Sequence, residues 1–343
     1  MSSVIALTSR RVALLAAGAL LVAAAAACSS DDDRGDAASG RDGAPGETAD
    51  DLSGPFAVGR RDLTLVDTTR ATPAVPDRLP AEPDRTIDVE VVYPAEGTAG
   101  PEPALTPDPA ASTVDAPPAD GSFPVVVFAH GFNGEGALFE GYAARWARRG
   151  YVAVLPTFPL SRSGIAVSDD VVDQPGDISF VLDSLGDLAD DDPLAGHADL
   201  DHVAVGGHSL GAATALGIGY DAGRTDPRVD ATIPVAGGPL PFPGDGYDWP
   251  ATPMLLAHGV ADTTVPVAAS DAVFDMAAPP VWYLRTTTAG HSDLLLGEHG
   301  ELLADAIDAF LDAELKGEPQ ALEAMGDEVA ASGLGEWRVD APG

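Results

Sequence analysis

A serine in a glycine-flanked turn is the first residue of this chain whose surroundings suggest chemistry. The small apolar residues 203–206 lead directly into residues 207–211, Gly-His-Ser-Leu-Gly, and an Ala-rich segment with helical character follows. A strand–turn–helix junction of this kind exposes the serine hydroxyl on a strained turn, where only small neighbours fit. The first amides of the helix favour negative charge at the same place. We therefore interpret Ser209 as a nucleophile; the alternative is a serine that merely caps the helix.

A nucleophilic serine needs a histidine that takes its proton and a carboxylate that fixes the histidine tautomer. Asp262 follows the apolar run 254–257, in a loop that would lie at the same sheet edge as Ser209. We predict that Asp262 is this acid, with simple surface solvation as the alternative. Three rival aspartates do not follow a buried strand in this way: Asp230, Asp245 and Asp248.

The base is expected beyond the next strand. His291 follows the apolar run 281–284 and precedes the last strongly helical segment, so we predict that it is the base. A surface histidine is the alternative. His299 is a rival, but it stands at the start of that helix. We expect His208 and His258 to pack or to donate hydrogen bonds near the serine turn.

A tetrahedral intermediate at Ser209 would need two backbone N–H donors. The residue after the nucleophile, Leu210, supplies one, and by position we assign the other to Phe132, in the loop after the first buried strand. The cleft is expected between Phe132, the loop 158–177 and Leu210. Two aromatic residues are predicted substrate contacts, with simple packing as the alternative: Tyr247 and Trp249.

The elements that must position these residues follow a recognisable order. Residues 62–67 and 86–93 alternate apolar and polar side chains, which is typical of half-buried antiparallel strands. The proline-rich segment 94–118 is expected to be an exposed loop.

From residue 124 onward, continuous apolar runs alternate with helical patterns. One of these patterns spans 136–149 and places Leu138, Tyr142 and Trp146 on one side of a helix. This alternation predicts a mostly parallel central sheet with helices on both faces.

The chain begins with the features of an export signal. Residues 1–27 contain a basic start and an uncharged apolar stretch, and they are followed by Cys28, the single cysteine of the chain. The residues before Cys28 resemble the lipobox of bacterial lipoproteins, which implies cleavage and lipidation of Cys28. We predict a signal peptide over 1–27, a flexible tether over 28–55 without enough apolar residues to fold, a catalytic domain over 56–316 and an extension over 317–343.

Composition excludes some partners. The formal net charge is −36, from 18 basic and 54 acidic residues, which disfavours nucleic acid and anionic lipid surfaces. We expect contact with a membrane only through the N-terminal lipid anchor. The single cysteine excludes an internal disulfide and a multi-cysteine metal site, and we predict no metal.

Five segments together resemble the α/β-hydrolase superfamily. They are Val89 to Pro94, His130-Gly131-Phe132, Gly207 to Gly211, His258 through Pro266, and Gly290-His291-Ser292. The branch is similar to dienelactone-hydrolase-like, platelet-activating-factor-acetylhydrolase-like and cutinase-like polyester hydrolases. The resemblance implies hydrolysis of carboxylic esters through an acyl-enzyme, without a cofactor. The cysteine pairs usual in secreted polyester hydrolases are absent from this sequence, and a serine stands where the dienelactone enzymes have a cysteine.

The sequence thus predicts an exported serine esterase acting on a small or medium acyl ester, a lipid or a polyester. It would be anchored to the outer face of the cell membrane, or secreted if Cys28 is not lipidated. Two alternatives stay open. One is a serine peptidase or amidase, and the other is a non-catalytic envelope lipoprotein on a hydrolase fold.

Overall fold

The computed structural model describes residues 54–341. The predicted signal peptide, Cys28 and the predicted tether up to residue 53 lie outside the described residues. Within residues 54–341, no helix has both the length and the hydropathy that a membrane crossing requires.

The described residues form a ten-stranded mixed sheet, with the strand order β10-β9-β8-β7-β6-β4-β5-β2-β1-β3. The strands are β1 (Ala57–Asp67), β2 (Arg85–Ala95), β3 (Thr113–Val114), β4 (Phe123–Ala129), β5 (Val152–Thr157), β6 (Ala198–His208), β7 (Val229–Val235), β8 (Met254–Gly259), β9 (Val281–Thr286) and β10 (Gly335–Asp340). The strands from β5 through β4 and β6 to β9 are parallel. The pair β1–β2, its junction with β5 and the pair β9–β10 are antiparallel. The predicted architecture, a mostly parallel sheet with antiparallel N-terminal strands, is confirmed.

Helices cover both faces of this sheet. They are α1 (Glu140–Arg148), α2 (Gln174–Gly186), α3 (Leu210–Tyr220), α4 (Ala268–Met276), α5 (Gly297–Lys316) and α6 (Gln320–Ser332). Residues of α1, α5 and α6 share one core with the sheet, while α2 and α3 share a second core on the opposite face. A third cluster joins α3 and α4 to β8 and β9.

Strand β4 shows why the central strands are continuously apolar. Val126 and Phe128 belong to the core beneath α1 and α5, whereas Val125 and Val127 belong to the core beneath α2 and α3. Successive side chains of a strand point to opposite faces, so a strand covered by helices on both sides needs apolar residues at every position. Parallel strands end at the same edge, and this arrangement brings the loops after β4, β6, β8 and β9 together.

The predicted helix over 136–149 starts differently from the expectation. Residues Gly136–Phe139 form a 3-10 turn, and the α-helix begins at Glu140. The tighter turn changes the direction of its side chains relative to the helix that follows. Tyr142 and Trp146 are therefore buried as expected, while Leu138 is 56% exposed.

The C-terminal extension that the sequence places at 317–343 contains regular structure. Helix α6 packs Leu322, Met325 and Val329 into the core beneath α1 and α5. Strand β10 pairs antiparallel with β9 and forms the last strand of the sheet on that side. This segment therefore shares the sheet and the core of the preceding residues.

A largely buried carboxylate on β2, whose side chain is 12% exposed, gives the fold a pH dependence that can be measured. Burial, together with the nearby Glu140 carboxylate, raises the pKa of Glu90 to about 7 against the attraction of Arg60. Glu90 Oε2 lies 3.6 Å from the Arg60 guanidinium, and Glu90 Oε1 has no hydrogen-bond partner. An acid whose pKa is raised on folding holds its proton longer in the native state. Its contribution to stability is therefore lost as the pH rises from about 4.5 towards about 7.

At pH 8, the free energy of unfolding of Glu90→Gln, measured by urea denaturation, is expected to exceed that of the wild type by about 1–2 kcal/mol. The reason is that the neutral amide avoids the buried charge. The difference should vanish near pH 4, where the wild-type carboxyl is protonated in both states. Glu82→Gln, at an exposed position, is the matched control. An equal difference at both pH values would contradict the burial argument.

Candidate active site

Ser209 occupies a strained turn between β6 and α3. Its backbone angles are φ 59° and ψ −115°, in a region that residues other than glycine rarely adopt. The Ser209 N–H donates to the Val235 carbonyl on β7 at 2.9 Å, which fixes the turn to the neighbouring strand. A Cβ at Gly211 would lie 2.1 Å from the Ala129 carbonyl oxygen, so only glycine allows α3 to start this close to β4. The sequence prediction of a tight strand–turn–helix junction at Ser209 agrees with this geometry.

Asp262 and His291 form a hydrogen-bonded pair at the same sheet edge. His291 Nδ1 lies 2.6 Å from Asp262 Oδ2, although 29 residues separate the two in sequence. Asp262 follows β8 and His291 follows β9, as predicted. The other carboxylate oxygen, Oδ1, accepts the backbone N–H groups of Thr264 and Val265 at 2.8 and 2.9 Å. These contacts orient the carboxylate towards the imidazole.

The charge state of Asp262 follows from the same contacts. Burial by itself would raise the pKa of Asp262, but the hydrogen bond with His291 and the two backbone donors outweigh it. The pKa is therefore below its usual value. The carboxylate is ionised at neutral pH and keeps the proton of His291 on Nδ1, which leaves Nε2 free to accept a proton.

A second histidine shares this carboxylate. His258 is fully buried, and its Nε2 lies 3.2 Å from Asp262 Oδ2 and 3.0 Å from the Val265 carbonyl. Its Nδ1 lies 2.7 Å from Ser270 Oγ, whose hydroxyl is 2.8 Å from the Gly237 carbonyl. Burial lowers the pKa of His258. His258 thus links the acid loop to α4, in keeping with the supporting role expected from the sequence.

His208 packs directly on the candidate base. The rings of His208 and His291 lie 4.7 Å apart, and His208 Nε2 is 3.0 Å from the His291 carbonyl oxygen. Burial lowers the pKa of His208 to about 4, so its ring is neutral at pH 7 and donates this bond from Nε2–H. His208 therefore holds the backbone of the His291 loop, as the sequence analysis expected.

The loop after β4 lies against Ser209. A Cβ at Gly131 would be 3.1 Å from the Ser209 Cβ. The buried His130 ring holds this loop: its Nε2 accepts the Phe158 N–H at 3.0 Å, and its Nδ1 lies 2.7 Å from the Gly131 carbonyl. The hydrogen bonds within residues 54–341 provide no acceptor for the N–H of Phe132 or Leu210. Both amides are thus free to act as the donors that the sequence predicts.

Ser209 and His291 line one cavity of about 380 Å³, together with Phe132 and His208. Among the hydrogen bonds of the described residues, none joins Ser209 Oγ to His291. Such bonds are often long in a free enzyme and shorten when substrate binds. The shared cavity brings together the predicted nucleophile, the base and the oxyanion donor Phe132, whereas Leu210 and the loop 158–177, which were expected to bound the cleft, do not line it.

The two predicted substrate contacts lie outside this cavity. Tyr247 and Trp249 stack on each other, with ring centroids 5.1 Å apart, and Trp249 also packs on Tyr220 of α3. The Tyr247 hydroxyl donates to the Leu240 carbonyl at 3.1 Å. Neither residue lines the cavity of Ser209, because this loop folds back onto the cluster between α3 and α4. The contacts of Tyr247 and Trp249 are therefore packing contacts, the alternative given for these two residues.

The rival residues also have other contacts. Asp230 accepts the Val203 N–H at 2.9 Å, and Asp245 and Asp248 are exposed in a loop. His299 Nε2 is 3.0 Å from Thr288 Oγ1 and does not line the cavity. In residues 54–341, no group of three or more His, Cys, Asp or Glu side chains is arranged to hold a metal ion.

Several residues that line the cavity were not predicted from the sequence. The structure adds a segment before β4, the 3-10 turn before α1 and the loop after His291; their apolar members are Leu105, Pro107, Leu138, Phe139, Leu295 and Leu296. The helical pattern of 136–149 placed Leu138 on the same side of the helix as Tyr142, and the proline content of 94–118 predicted an exposed loop. Both patterns describe local structure only, and neither contains information about which distant segment contacts the cavity.

Comparison with known proteins agrees with the fold. The chlorophyllase family model matches residues 87–257, just under half of the chain. This match includes Ser209 and ends before Asp262 and His291. No curated protein sequence matches the chain.

The solved structures include a ferulic acid esterase from Streptomyces cinnamoneus. It is similar to this chain with a TM-score of 0.62 and 21% sequence identity, over 78% of this chain and 92% of the esterase chain. The strand order, the parallel centre of the sheet and this likeness define the fold as that of an α/β-hydrolase.

Proposed function

We propose that the protein is a serine hydrolase of carboxylic esters, with Ser209 as nucleophile, His291 as general base and Asp262 as the acid that orients it. The observation that carries the proposal is the placement of a serine on a strained turn in one cavity with a carboxylate-paired histidine. The match to the chlorophyllase family model and the likeness to a ferulic acid esterase both support an ester hydrolase.

The chemistry follows from the geometry. His291 Nε2 takes the proton of Ser209 as Oγ attacks the ester carbonyl, and the Asp262 carboxylate stabilises the imidazolium that forms. The free amides of Phe132 and Leu210 receive the oxyanion of the tetrahedral intermediate. His291 then gives its proton to the leaving alcohol, which leaves an acyl group on Ser209. Attack by water, with His291 again as base, releases the acid and restores Ser209.

The proposal includes a location. A signal peptide over residues 1–27 and lipidation of Cys28 would hold the catalytic domain at the outer face of the cell membrane. The composition of this segment and the position of the single cysteine support this part of the proposal. Metabolic labelling with a radioactive fatty acid tests it, because Cys28→Ser should lose the label while the wild type retains it.

The activity itself is tested by release of p-nitrophenol from p-nitrophenyl butyrate by purified protein. Turnover of the ester, with no comparable release of p-nitroaniline from peptide anilides, is expected for an esterase. Preferential cleavage of the anilides would favour a peptidase. Failure of both reactions in folded protein would favour a non-catalytic role on the same fold.

A further inference from the structure

The cavity of Ser209 differs in character from the rest of this acidic protein. The residues of the described chain that line it include no Asp, Glu, Lys or Arg, although the sequence contains 18 basic and 54 acidic residues. A volume of about 380 Å³ is in the range of small-molecule sites, which extends from roughly 300 to 1,000 Å³. The polar groups in it are mainly those assigned to catalysis and a few small hydroxyl and amide side chains.

One wall of this cavity comes from the proline-rich segment between β2 and β4. Leu105, Thr106 and Pro107 line the cavity, and Leu105 is buried in the core beneath α1 and α5. A Cβ at Gly141 would lie 2.4 Å from the Ala104 carbonyl oxygen, so a glycine in α1 allows this segment to pack closely. The wall is therefore held by tertiary packing, in contrast to the exposed loop that its composition predicted.

The Tyr142 hydroxyl is not available to donate a hydrogen bond to a substrate in the cavity. Its hydroxyl lies 3.1 Å from the Leu295 carbonyl and 3.4 Å from the Gly300 carbonyl, so its proton is already used between two elements. The ring of Tyr142 adds apolar surface beside Phe139. This interior offers no charged partner to a carboxylate or an ammonium group.

The mouth of the cavity carries apolar side chains that are unusually exposed. Phe132, Leu138 and Leu296 are 51%, 56% and 50% exposed, and they are three of the nine large apolar side chains of residues 54–341 with high exposure. Apolar side chains grouped at the rim of a cavity mark a surface that binds an apolar group.

We propose that the site selects esters in which the group next to the scissile carbonyl, on the acyl or the alcohol side, is apolar and uncharged. Leu138 and Leu296 at the rim contact this group. This inference rests on the proposed function. A substrate carboxylate would be desolvated in the cavity without a cation to pair with, and the net charge of −36 adds a long-range repulsion. Longer apolar groups gain binding as they cover more of the apolar wall and rim.

The first test compares matched substrates of the wild-type protein. We expect kcat/KM to rise from p-nitrophenyl acetate through butyrate to hexanoate, by roughly tenfold or more overall. Mono-p-nitrophenyl adipate, which replaces the methyl end of hexanoate by a carboxylate, should be poorer than hexanoate by at least about tenfold. A parallel series of acetate esters of longer alcohols covers the case in which the alcohol occupies the cavity. Flat profiles in both series would overturn the proposal, and so would an acyl series that rises with chain length while hexanoate and adipate have equal kcat/KM.

The second test places a cation at the rim. Leu138→Lys should lower the hexanoate-to-adipate ratio of kcat/KM by at least about tenfold, because the ammonium group pairs with the substrate carboxylate. Met276→Lys is the matched control, since Met276 is 49% exposed at the end of α4, outside the cavity, and the change in net charge is identical. Equal shifts in both variants would show long-range attraction alone and would count against a role of the rim.

Different results would contradict the proposed esterase function and the proposed selectivity for apolar esters. Loss of all ester turnover, or turnover that survives Ser209→Ala, would remove the proposed function. Ser209-dependent turnover without selectivity for apolar, uncharged esters would leave the proposed function intact and remove only this inference.

Discussion

Ser209→Ala is expected to lower kcat for p-nitrophenyl butyrate by at least about 10⁴-fold. The substitution removes the atom that attacks the carbonyl, while the cavity, the free amides and the His291–Asp262 pair stay in place. What activity is left would come from water that these groups position and polarise. The measurement is steady-state hydrolysis by freshly purified protein, corrected for spontaneous hydrolysis of the ester.

Two controls make this loss interpretable. Ser184→Ala removes a hydroxyl from α2 that bonds to the Phe180 carbonyl, far in sequence from the site, and should leave kcat unchanged. Thermal unfolding of Ser209→Ala should resemble that of the wild type, because Oγ makes no hydrogen bond within the described residues. A variant that keeps most of its kcat would remove Ser209 from the reaction.

Asp262→Asn is expected to lower kcat by about 10⁴-fold. The asparagine Oδ1 can keep the two backbone bonds from Thr264 and Val265. Its Nδ2 amide would then face His291 Nδ1 as a donor, and this stabilises the tautomer with the proton on Nε2. That tautomer cannot accept the Ser209 proton, so the base is lost although the loop is retained.

The control for Asp262→Asn is a rival acid from the same part of the sequence. Asp245 is exposed in the loop before Tyr247, and Asp245→Asn should retain wild-type kcat. Both substitutions remove one negative charge. A difference between the two variants therefore reports the change in the His291 tautomer and not the change in charge. Equal activities of the two variants would contradict the assignment of Asp262.

The fold and the central residues could be predicted from sequence because they follow from local patterns with strict geometry. Continuous apolar runs identify strands covered on both faces, as β4 shows. Parallel strands end at one edge, so residues that directly follow such strands, like Asp262 and His291, must meet there. The small residues around Ser209 reflect contacts at which a Cβ would overlap backbone atoms.

The cavity wall could not be predicted in the same way. Leu105 lies in a proline-rich segment whose composition describes its local backbone, while its burial depends on a contact with α1 that no local pattern encodes. Tyr247 and Trp249 are the reverse case. Aromatic residues in a loop near the site suggested substrate contact. Tyr247 instead stacks on Trp249, and Trp249 packs on Tyr220 of α3, away from the cavity.

The C-terminal residues illustrate the same limit. The sequence between residues 317 and 343 has a weak helical pattern and one short strand, and neither is stable alone. Strand β9 leaves an unpaired edge, and β10 covers it with antiparallel hydrogen bonds. The regular structure of residues 335–340 thus depends on pairing with β9.

Ser209 is proposed as the nucleophile that carries the acyl group. This role can be tested by reaction of the folded protein with a fluorophosphonate, followed by peptide mapping by mass spectrometry. We expect one phosphonyl group per protein, on the peptide that contains Ser209, with esterase activity lost in proportion to labelling. Modification of a different residue with the Ser209 peptide unchanged, or full ester turnover after complete labelling of Ser209, would contradict it.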